Sequence, residues 1–211
     1  MHLHTSWTDG QDSVFKMYKE ACKKKLNYIL FSEHSRKNSG RWFLKFAKEV
    51  RSLKNKCIAF VGTEVKILNF KGELDLSKEI HAYSDFIMAS VHRFPGEKSD
   101  RIMLKKNFSK KNAINIEYKL MRAAILNPKT NILGHPFGMS IKRFKASPSK
   151  KLFIDIIKMC KKNNVAFEIN SHYHKNLKWL LKECIKQNTL FSLGSNAHKV
   201  SEIGQIIKKI Y

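Results

Sequence analysis

Seven short runs of β-forming residues alternate with amphipathic helical stretches along nearly the whole chain, and no other feature restricts its fold as strongly. The predicted strands end, in chain order, at His4, Glu33, Val65, Val91, Gly134, Ile169 and Leu193. The predicted helices cover Asp12–Lys24, Gly40–Lys54, Asn112–Leu126, Pro148–Asn163, Lys175–Gln187 and Ser201–Ile210. Asp12 and Ser147 are candidate N-cap residues. This order favours a parallel α/β architecture, which is either a barrel or a doubly wound sheet.

The positions of the polar residues separate these two architectures. In a barrel, functional groups come from the C-terminal ends of many strands and converge on one face, and this chain has that distribution. A doubly wound nucleotide-binding sheet should show a glycine-rich turn after its first strand, but neither that turn nor a GxxxxGK[ST] motif occurs. No internal repeat or Pro/Gly-rich linker divides the sequence, so we expect one domain over residues 1–211.

Composition narrows the class of protein further. Hydrophobic residues make up 43% of the chain, which is typical of a globular protein. No apolar run reaches the ~18 residues needed to span a bilayer, and the N-terminus lacks a signal-peptide pattern. The 4 cysteines are scattered, which favours reduced thiols in a cytoplasm.

The formal net charge of +24 suits a partner that is a nucleic acid or another polyanion. The lysines, however, are spread along the whole chain in short clusters. This spread favours a solvated basic surface over a dedicated nucleic-acid groove, so nucleic acid stays the second choice of partner.

Imidazole, carboxyl and amide side chains stand at or just past the ends of the predicted strands. They are His2, His4, Asp9, Glu33, His34, Glu64, His92, His135, Glu168, Asn170, Asn196 and His198. Imidazole and carboxylate groups are good ligands for divalent ions such as Zn²⁺, Mn²⁺ or Fe²⁺. Two histidines at i and i+2 of a strand, such as His2 and His4, point to the same side and can chelate one ion. A carboxylate such as Glu64 can bridge two ions.

Each histidine also has a plain structural interpretation. A lone histidine at a strand end is more often structural than a ligand, and His-x-His pairs also arise by chance. His172 and His174 form a second such pair, which we interpret as part of a polar loop after the sixth strand. His81 stands alone in a further predicted helix, the segment KEIHAYS, and is interpreted as structural. The joint position of six histidines at strand ends favours a metal site, because a buried imidazole cluster would be costly without a cation.

The order and spacing of these segments resemble a known family. The segments are HLHTSWTDG, ILFSEH, GTEVKI, GELDL, MASVH, ILGHPFG, FEIN and LGSNAH. From Met1 to about His198 they resemble the successive motifs of the PHP (polymerase and histidinol phosphatase) family. The resemblance is strongest with small histidinol-phosphatase-like members and with the PHP module of some repair polymerases.

The resemblance implies a distorted (β/α)7 barrel with a truncated first strand and a site for up to three divalent metal ions, which would be Zn, Mn or Fe. Carried over position by position, it implies one ion at His2, His4, Glu64 and Asn196. It implies a second ion at Glu64, His92 and His135, and a third at Asp9, His34 and His198. Candidates for supporting the ligands or contacting the substrate are Glu33, Glu168 and Asn170.

Three positions depart from the family pattern. The family usually has Asp where this chain has Asn196, and an amide oxygen lacks the charge that helps to hold a divalent ion. Glu33 stands where Asp is commoner, which is a milder change. Met1 directly precedes His2, so most of the first strand is missing. Either the barrel is open there or the natural start of the chain lies upstream, and we expect the second.

Together, the residues and the resemblance predict hydrolysis of a small phosphate monoester, as in a histidinol phosphatase, by attack of a metal-bound hydroxide. The predicted catalytic residues are Glu64, His198, Arg36 and Arg93. The two arginines closely follow predicted ligands and are the candidate phosphate clamps. Lys142 and Arg143 are weaker candidates for the same role.

Two alternative functions stay open. A nuclease or nucleotide phosphatase would use the same metal chemistry, and the positive charge would favour a polynucleotide. A degenerate, non-catalytic PHP domain would act as a scaffold, which Asn196 and the short first strand support. The first-choice partner is a small phosphorylated substrate rather than a membrane, and the sequence yields no prediction of oligomeric state.

Overall fold

Seven parallel strands form a single sheet in which each strand pairs with its neighbours in sequence, in the order β1 to β7. The computed structural model describes residues 2–54, 56–96 and 109–211, so the expectation about Met1 lies outside the described residues. The strands are β1 (His2–Leu3), β2 (Tyr28–Ser35), β3 (Ile58–Lys66), β4 (Phe86–Ser90), β5 (Ile132–Leu133), β6 (Ala166–Asn170) and β7 (Phe191–Gly194). Each ends within two residues of its predicted end.

Helices follow the strands in the alternation that the sequence predicts. They are α1 (Val14–Lys23), α2 (Gly40–Ser52), α3 (Lys78–Tyr83), α4 (Lys110–Ile125), α5 (Gly138–Lys142), α6 (Lys150–Lys162), α7 (Leu177–Lys186) and α8 (Gln205–Ile210). A 3-10 helix covers Val200–Glu202. Within the described ranges, no helix has both the length and the apolar character that crossing a membrane requires.

The two predicted N-caps are wrong. Ser13 caps α1 and Ser149 caps α6, each through a side-chain oxygen that accepts a hydrogen bond from a backbone amide of the first turn. The predicted caps, Asp12 and Ser147, lie one and two residues too early, because each helix begins later than its hydrophobic periodicity indicates. The Asp12 carboxylate instead accepts a hydrogen bond from the amide of Val200 at 2.9 Å.

The two edges of the sheet meet, so the sheet forms a nearly closed barrel. Leu3 bridges in parallel to Ala197, which lies just after β7. The amide of His4 donates to the carbonyl oxygen of Ala197 at 2.8 Å, and the amide of Ala197 donates to the carbonyl oxygen of His2 at 3.3 Å. We call this junction the β1–β7 seam. The prediction of a distorted (β/α)7 barrel with a short first strand is confirmed, since β1 comprises only two residues.

Inside the barrel, apolar residues give way to polar ones along the strands. A small apolar cluster lies between the N-terminal halves of the strands and consists of Leu30, Met88 and Ile132, with Phe60, Phe86 and Ala166 packed against it. Alternate residues of a strand face the same side, so Phe60 is followed on that side by Gly62 and then by Glu64. A Cβ at Gly62 would lie 2.6 Å from Cδ1 of Leu30, so the barrel is tightly filled below the carboxylate.

The larger apolar core lies between the strands and the surrounding helices. Fully buried side chains on the amphipathic helices, among them Met17, Phe46, Leu120 and Ile156, contribute to it. The sheet is therefore held from outside by this core, and the C-terminal ends of its strands remain available for polar groups. The expectation of one domain over residues 1–211 stays a prediction.

Candidate metal centre

The C-terminal ends of the strands bring the predicted donor side chains together. The register of the sheet pairs His34 of β2 with Glu64 of β3. His92 and His135 each lie two residues past the ends of β4 and β5, and His198 lies four residues past the end of β7. Because parallel strands end at the same side of a barrel, residues far apart in sequence become neighbours there.

One buried carboxylate lies at the centre of this cluster. Glu64 is only 2% exposed. Its Oε2 lies 3.2–3.4 Å from nitrogen atoms of His2, His4 and His34. Its Oε1 lies 3.1 Å from Nε2 of His92 and 2.8 Å from Nε2 of His135. Five imidazoles from four segments of the chain therefore converge on a single side chain.

A second carboxylate, Asp9, lies at the more open side of the cluster. Its Oδ2 lies 3.4 Å from Nε2 of His198 and 3.5 Å from Nε2 of His34, and its Oδ1 lies 3.9 Å from Nδ1 of His4. The loop that carries Asp9 folds closely over β1, because a Cβ at Gly10 would lie only 2.4 Å from the carbonyl oxygen of His4. Glycine at this position therefore lets the loop deliver its carboxylate.

Three groups of donor atoms are close enough together to hold a metal ion. They are His4, Asp9, His34 and His198; His2, His4 and Glu64; and His34, Glu64 and His92. The first two groups resemble the predicted ligand sets, with His4 added to the set around Asp9. In the third, His34 stands beside His92, whereas the predicted set has His135, which contacts the same Glu64 oxygen.

The hydrogen bonding of the imidazoles leaves lone pairs that a cation would satisfy. Nε2 of His2 lies 2.8 Å from Nε2 of His4, and Nδ1 of His2 contacts Glu168 at 2.8 Å. Nδ1 of His4 is buried and has no hydrogen-bond partner among the residues described, and it would offer a lone pair once an ion had displaced a proton from the pair. Nδ1 of His135 is buried in the same condition. Such a donor set fits borderline divalent ions.

The charges of the cluster favour an ionised Glu64 beside a protonated His2 and a neutral His4. Burial alone would raise the pKa of Glu64, but His92, His2 and His34 hold it well below its usual range. Burial opposes a charge on His2, yet Glu168 and Glu64 raise its pKa to about 10. Burial and the neighbouring His2 lower the pKa of His4 well below 6.5. His2 therefore carries a proton next to a neutral His4, and a bound ion would displace that proton.

Two further carboxylates support the ligands from behind. Glu168, fully buried, contacts Nδ1 of His2 and accepts the backbone amide of His135 at 2.5 Å and the side-chain amide of Asn170 at 3.0 Å. A carboxylate in this position fixes the tautomer and the ring orientation of His2. The sequence-based suggestion that Glu168 supports the ligands agrees with these contacts.

Glu33 organises the loop that carries Asp9. Its carboxylate accepts hydrogen bonds from the amide of Thr5 at 2.7 Å, from the hydroxyl of Thr5 at 2.6 Å and from the hydroxyl of Thr8. Burial raises the pKa of Glu33 to about 7, although these hydrogen bonds oppose the rise. Glu33 therefore acts on Asp9 through the loop.

Two residues that the sequence interpretation missed hold the segment around His135. Glu117 of α4 is 1% exposed and accepts the backbone amides of Met139 at 3.0 Å and Ser140 at 2.6 Å, at the start of α5. Tyr173 stacks on the His135 ring with 4.3 Å between ring centroids. A signal for Glu117 was present, since a charged residue stands on the otherwise apolar, buried face of a predicted helix.

The candidate phosphate-binding side chains differ in their exposure to solvent. Arg36, one residue past β2, is exposed, whereas Arg93, directly after His92, is half-buried. Lys142 is exposed at the end of α5, and Arg143 lies over the ring of Phe144. The structure brings Arg36 and Arg93 to the same end of the barrel as the donor cluster, and their contact with a phosphate stays a prediction.

The three remaining histidines, His81, His172 and His174, differ in their surroundings. His174 is buried: its Nδ1 accepts the amide of Asn170 at 3.0 Å, and its Nε2 donates to the carbonyl oxygen of Pro136 at 2.8 Å. This ring ties the loop after β6 to the segment after β5. His172 and His81 are exposed.

Asn196 lies next to the cluster in the left-handed region, with φ of 50°. Its carbonyl oxygen accepts a hydrogen bond from Nδ1 of His198 at 3.0 Å. That contact leaves Nε2 of His198 facing Asp9. The predicted ligand role of the Asn196 side chain stays a prediction.

Comparison with known proteins finds a matching family and several relatives. A model of the PHP domain family matches residues 1–172. The DNA polymerase/3'-5' exonuclease PolX of Bacillus subtilis is 27% identical over 188 residues, which are 82% of this chain and 29% of PolX. A probable phosphatase of Thermoanaerobacter sp. (strain X514) is 32% identical over 139 residues, which are 64% of this chain and 52% of the relative. The chain thus spans about half, or less, of the length of these curated relatives.

A solved structure has the same fold. It is the histidinol phosphate phosphatase of Lactococcus lactis subsp. lactis, complexed with zinc, L-histidinol and phosphate. The superposition has a TM-score of 0.66 and 21% sequence identity, and it covers 99% of this chain and 92% of the other. At 21% sequence identity, this likeness shows the shared fold alone.

Proposed function

Because the chain belongs to the PHP domain family, we propose that it is a metal-dependent phosphoesterase that hydrolyses a small phosphate monoester. The observation that carries the proposal is the arrangement around Glu64, where five imidazoles lie within 3.4 Å of one buried carboxylate. A cluster of this composition at the C-terminal ends of barrel strands is the donor set of a catalytic metal centre rather than of a structural one, since Asp9 is 53% exposed at its open side.

The proposed ligands follow the three groups of donor atoms. His2, His4 and Glu64 would hold one ion, and Asp9, His34 and His198 would hold another together with His4. Glu64 with His92 and His135 would hold a third. Bound divalent ions supply a water of lowered pKa and neutralise the charge that develops on a phosphoryl group.

The side chains of the protein orient this chemistry. Glu168 fixes the ring of His2, and the carbonyl oxygen of Asn196 holds Nδ1 of His198, so that each ring presents Nε2 to the centre. Half-buried Arg93 is a better candidate than Arg36 to bind phosphate oxygens, because a partly desolvated guanidinium makes stronger hydrogen bonds to an anion than an exposed one does. Exposed Arg36 would contribute mainly by attracting the anionic substrate.

The substrate proposed first is histidinol phosphate or a compound of similar size. Its support is the solved structure of the same fold that holds zinc, L-histidinol and phosphate. The identity of 32% to a probable phosphatase supports the reaction class.

A nuclease or nucleotide phosphatase is the second candidate function. The similarity to PolX over 82% of this chain favours it, as does the net charge of +24, which would attract a polynucleotide. The same metal ligands would serve either reaction, so only the substrate separates the two candidates.

The proposal is tested by measuring bound metal and hydrolysis on the same purified protein. The metal content is determined by elemental analysis, and turnover is measured with added Mn²⁺ or Zn²⁺ on p-nitrophenyl phosphate, histidinol phosphate and a 5'-phosphorylated single-stranded oligonucleotide. We expect bound divalent metal and release of phosphate from the small esters. Glu64→Gln should lower kcat by at least ~100-fold, because it removes the shared anionic ligand.

The control variant is Glu79→Gln, which makes the same change on α3 at an exposed position. If the purified protein holds no divalent metal and hydrolyses none of the three substrates, the proposal is overturned and the non-catalytic scaffold is favoured. Turnover of the oligonucleotide alone would favour the nuclease.

A further inference from the structure

A pocket of about 520 Å³ opens beside the proposed metal centre. It lies between the loop after β6, which carries His172 to Asn176, and the segment from α5 to the start of α6. Lysine side chains line it from both sides, and they are Lys142, Lys145, Lys150 and Lys175. None of the described residues that line the pocket is acidic.

The positive charge of this pocket is concentrated rather than spread. Partial desolvation of the His172 ring lowers its pKa, and the charge of nearby Lys142 lowers it further. Nζ of Lys150 lies 5.3 Å from the ring centroid of Trp179. Nζ of Lys209 donates to the carbonyl oxygen of Ser171, another lining residue, at 3.2 Å. Like charges gathered around one cavity favour an anion inside it.

Polar groups of the backbone and of one side chain add to this preference. Helices α6 and α7 both begin at the pocket, and neither has an acidic residue in its first turn. The side chain of Asn176 makes no capping hydrogen bond to α7. Ser171 is 7% exposed, and its hydroxyl oxygen has no hydrogen-bond partner in the described structure. Backbone donors at a helix start attract anions, and those of α7, which have no side-chain cap, lie at a cavity lined by lysines.

One residue joins the pocket to the proposed metal centre. Tyr173 lines the pocket, and its ring also stacks on His135, with 4.3 Å between centroids. His135 in turn contacts Glu64 at 2.8 Å. A molecule whose scissile phosphate lies at the centre could therefore extend along Tyr173 into the pocket.

We propose that this pocket binds a second phosphate group of the substrate, so that the protein prefers compounds with two phosphates to compounds with one. The inference rests on the proposed phosphoesterase function for its kinetic consequence, whereas the binding of the anion does not depend on it. Lys145 and Lys175 would contact the second phosphate, since they line opposite sides of the cavity and lie outside the metal centre. The second phosphate can belong to a small molecule or to a nucleic-acid strand.

The test uses a series of straight-chain α,ω-alkanediols, from propanediol to octanediol, each as its monophosphate and its bisphosphate. Varying the chain length finds the span between the two sites without assuming it. We expect kcat/KM for one or two chain lengths to be at least tenfold higher for the bisphosphate. In Lys145→Met/Lys175→Met the ratio of bisphosphate to monophosphate kcat/KM should fall towards 1.

The matched control is Lys19→Met/Lys48→Met, which removes the same charge from exposed positions of α1 and α2. It should keep the ratio of the unmodified protein. An equal fall of the ratio in both double variants would overturn the proposal, because it would show a general effect of net charge. Equal kcat/KM for mono- and bisphosphates at every length would overturn it as well.

A binding measurement separates this inference from the proposed function. Isothermal titration calorimetry of the metal-free protein with the bisphosphates should show binding. The double variant Lys145→Met/Lys175→Met should raise the dissociation constant at least fivefold. If the protein hydrolyses nothing but shows this loss, the pocket is an anion site and the phosphoesterase proposal fails alone. If both double variants bind equally well, the pocket proposal fails whatever the activity. Replacing the diols with 5'-phosphorylated mono- and dinucleotides distinguishes a small molecule from a strand.

Discussion

At the scale of single residues, the positions of the donors could be predicted because each follows a run of β-forming residues. The contact between Glu64 and five imidazoles confirms that these positions converge. The grouping of the donors could not be predicted, since His4 and His34 each stand in two groups. That detail depends on ring orientations, which contacts such as that of Glu168 with His2 set, and the sequence does not show which donor each supporting residue contacts.

Replacing Asn196 with Asp should strengthen the binding of one ion about tenfold, because it adds a charged oxygen beside the cluster. The left-handed backbone at this position, with φ of 50°, accommodates Asp nearly as well as Asn. The dissociation constant for Mn²⁺, measured by titration calorimetry, checks this. Asn188→Asp makes the same change at the same φ between α7 and β7 and should leave the constant unchanged. Equal constants in both variants would remove Asn196 from the ligand shell.

At the scale of elements, strands and long helices could be predicted, whereas the short α5 could not. Five residues hold too little periodicity to mark a helix. The segment before it contains two residues in the left-handed region, His135 and Phe137, with φ of 28° and 62°. Glu117 holds this conformation from α4 by accepting two backbone amides. The charged residue on an apolar helix face marks Glu117 as unusual, but nothing in the sequence identifies its partner 22 residues further along the chain.

The pH dependence of the unfolding free energy should show the titration of the Glu117 carboxyl group. Burial raises its pKa in the folded protein to about 7, above its ordinary value of 4.5. The unfolded chain therefore loses this proton at lower pH than the folded protein, and the contribution of Glu117 to stability falls as the pH rises from about 4.5 to about 7. Glu117→Gln has no such titration. The unfolding free energy of the unmodified protein minus that of the variant should fall between pH 5 and pH 8, by at most about 3 kcal/mol.

Urea unfolding at both pH values measures this difference. The histidines titrate in both proteins, so their effects cancel in the subtraction. Exposed Glu79→Gln is the control, and it should show no comparable fall. A difference for Glu117→Gln that is independent of pH would mean that Glu117 is already ionised at pH 5.

At the scale of the whole molecule, the parallel α/β order could be predicted from the alternation of periodicities, and the choice of a barrel from the polar residues at the strand ends. The way the barrel closes could not be predicted. A two-residue β1 gives little sequence signal, and the closing bridge uses Ala197, which lies past β7. The pocket beside the centre was also unforeseen, because its lysines come from segments with no motif.

Divalent metal should stabilise the whole fold, since the proposed ligands come from nearly every strand. An ion that binds only the folded state adds about 2.7 kcal/mol at a concentration 100 times its dissociation constant. We expect Mn²⁺ or Zn²⁺ to raise the Tm by several degrees and EDTA to reverse the rise, as measured by calorimetry. Glu64→Gln should reduce the shift strongly, while Glu79→Gln should preserve it. An identical Tm with and without metal would contradict the proposed ligand sets.

The β1–β7 seam has a consequence for how the state of the protein can be followed. His4 donates its backbone amide across the seam to Ala197, while its ring stands between the donor groups around Asp9 and Glu64. Ligands on both edges, His4 and His198, would be linked by one ion. Exchange of the His4 amide hydrogen with solvent would then report barrel opening and ion occupancy in one signal. Ion binding at the centre and slow exchange of the His4 amide would both report the closed barrel.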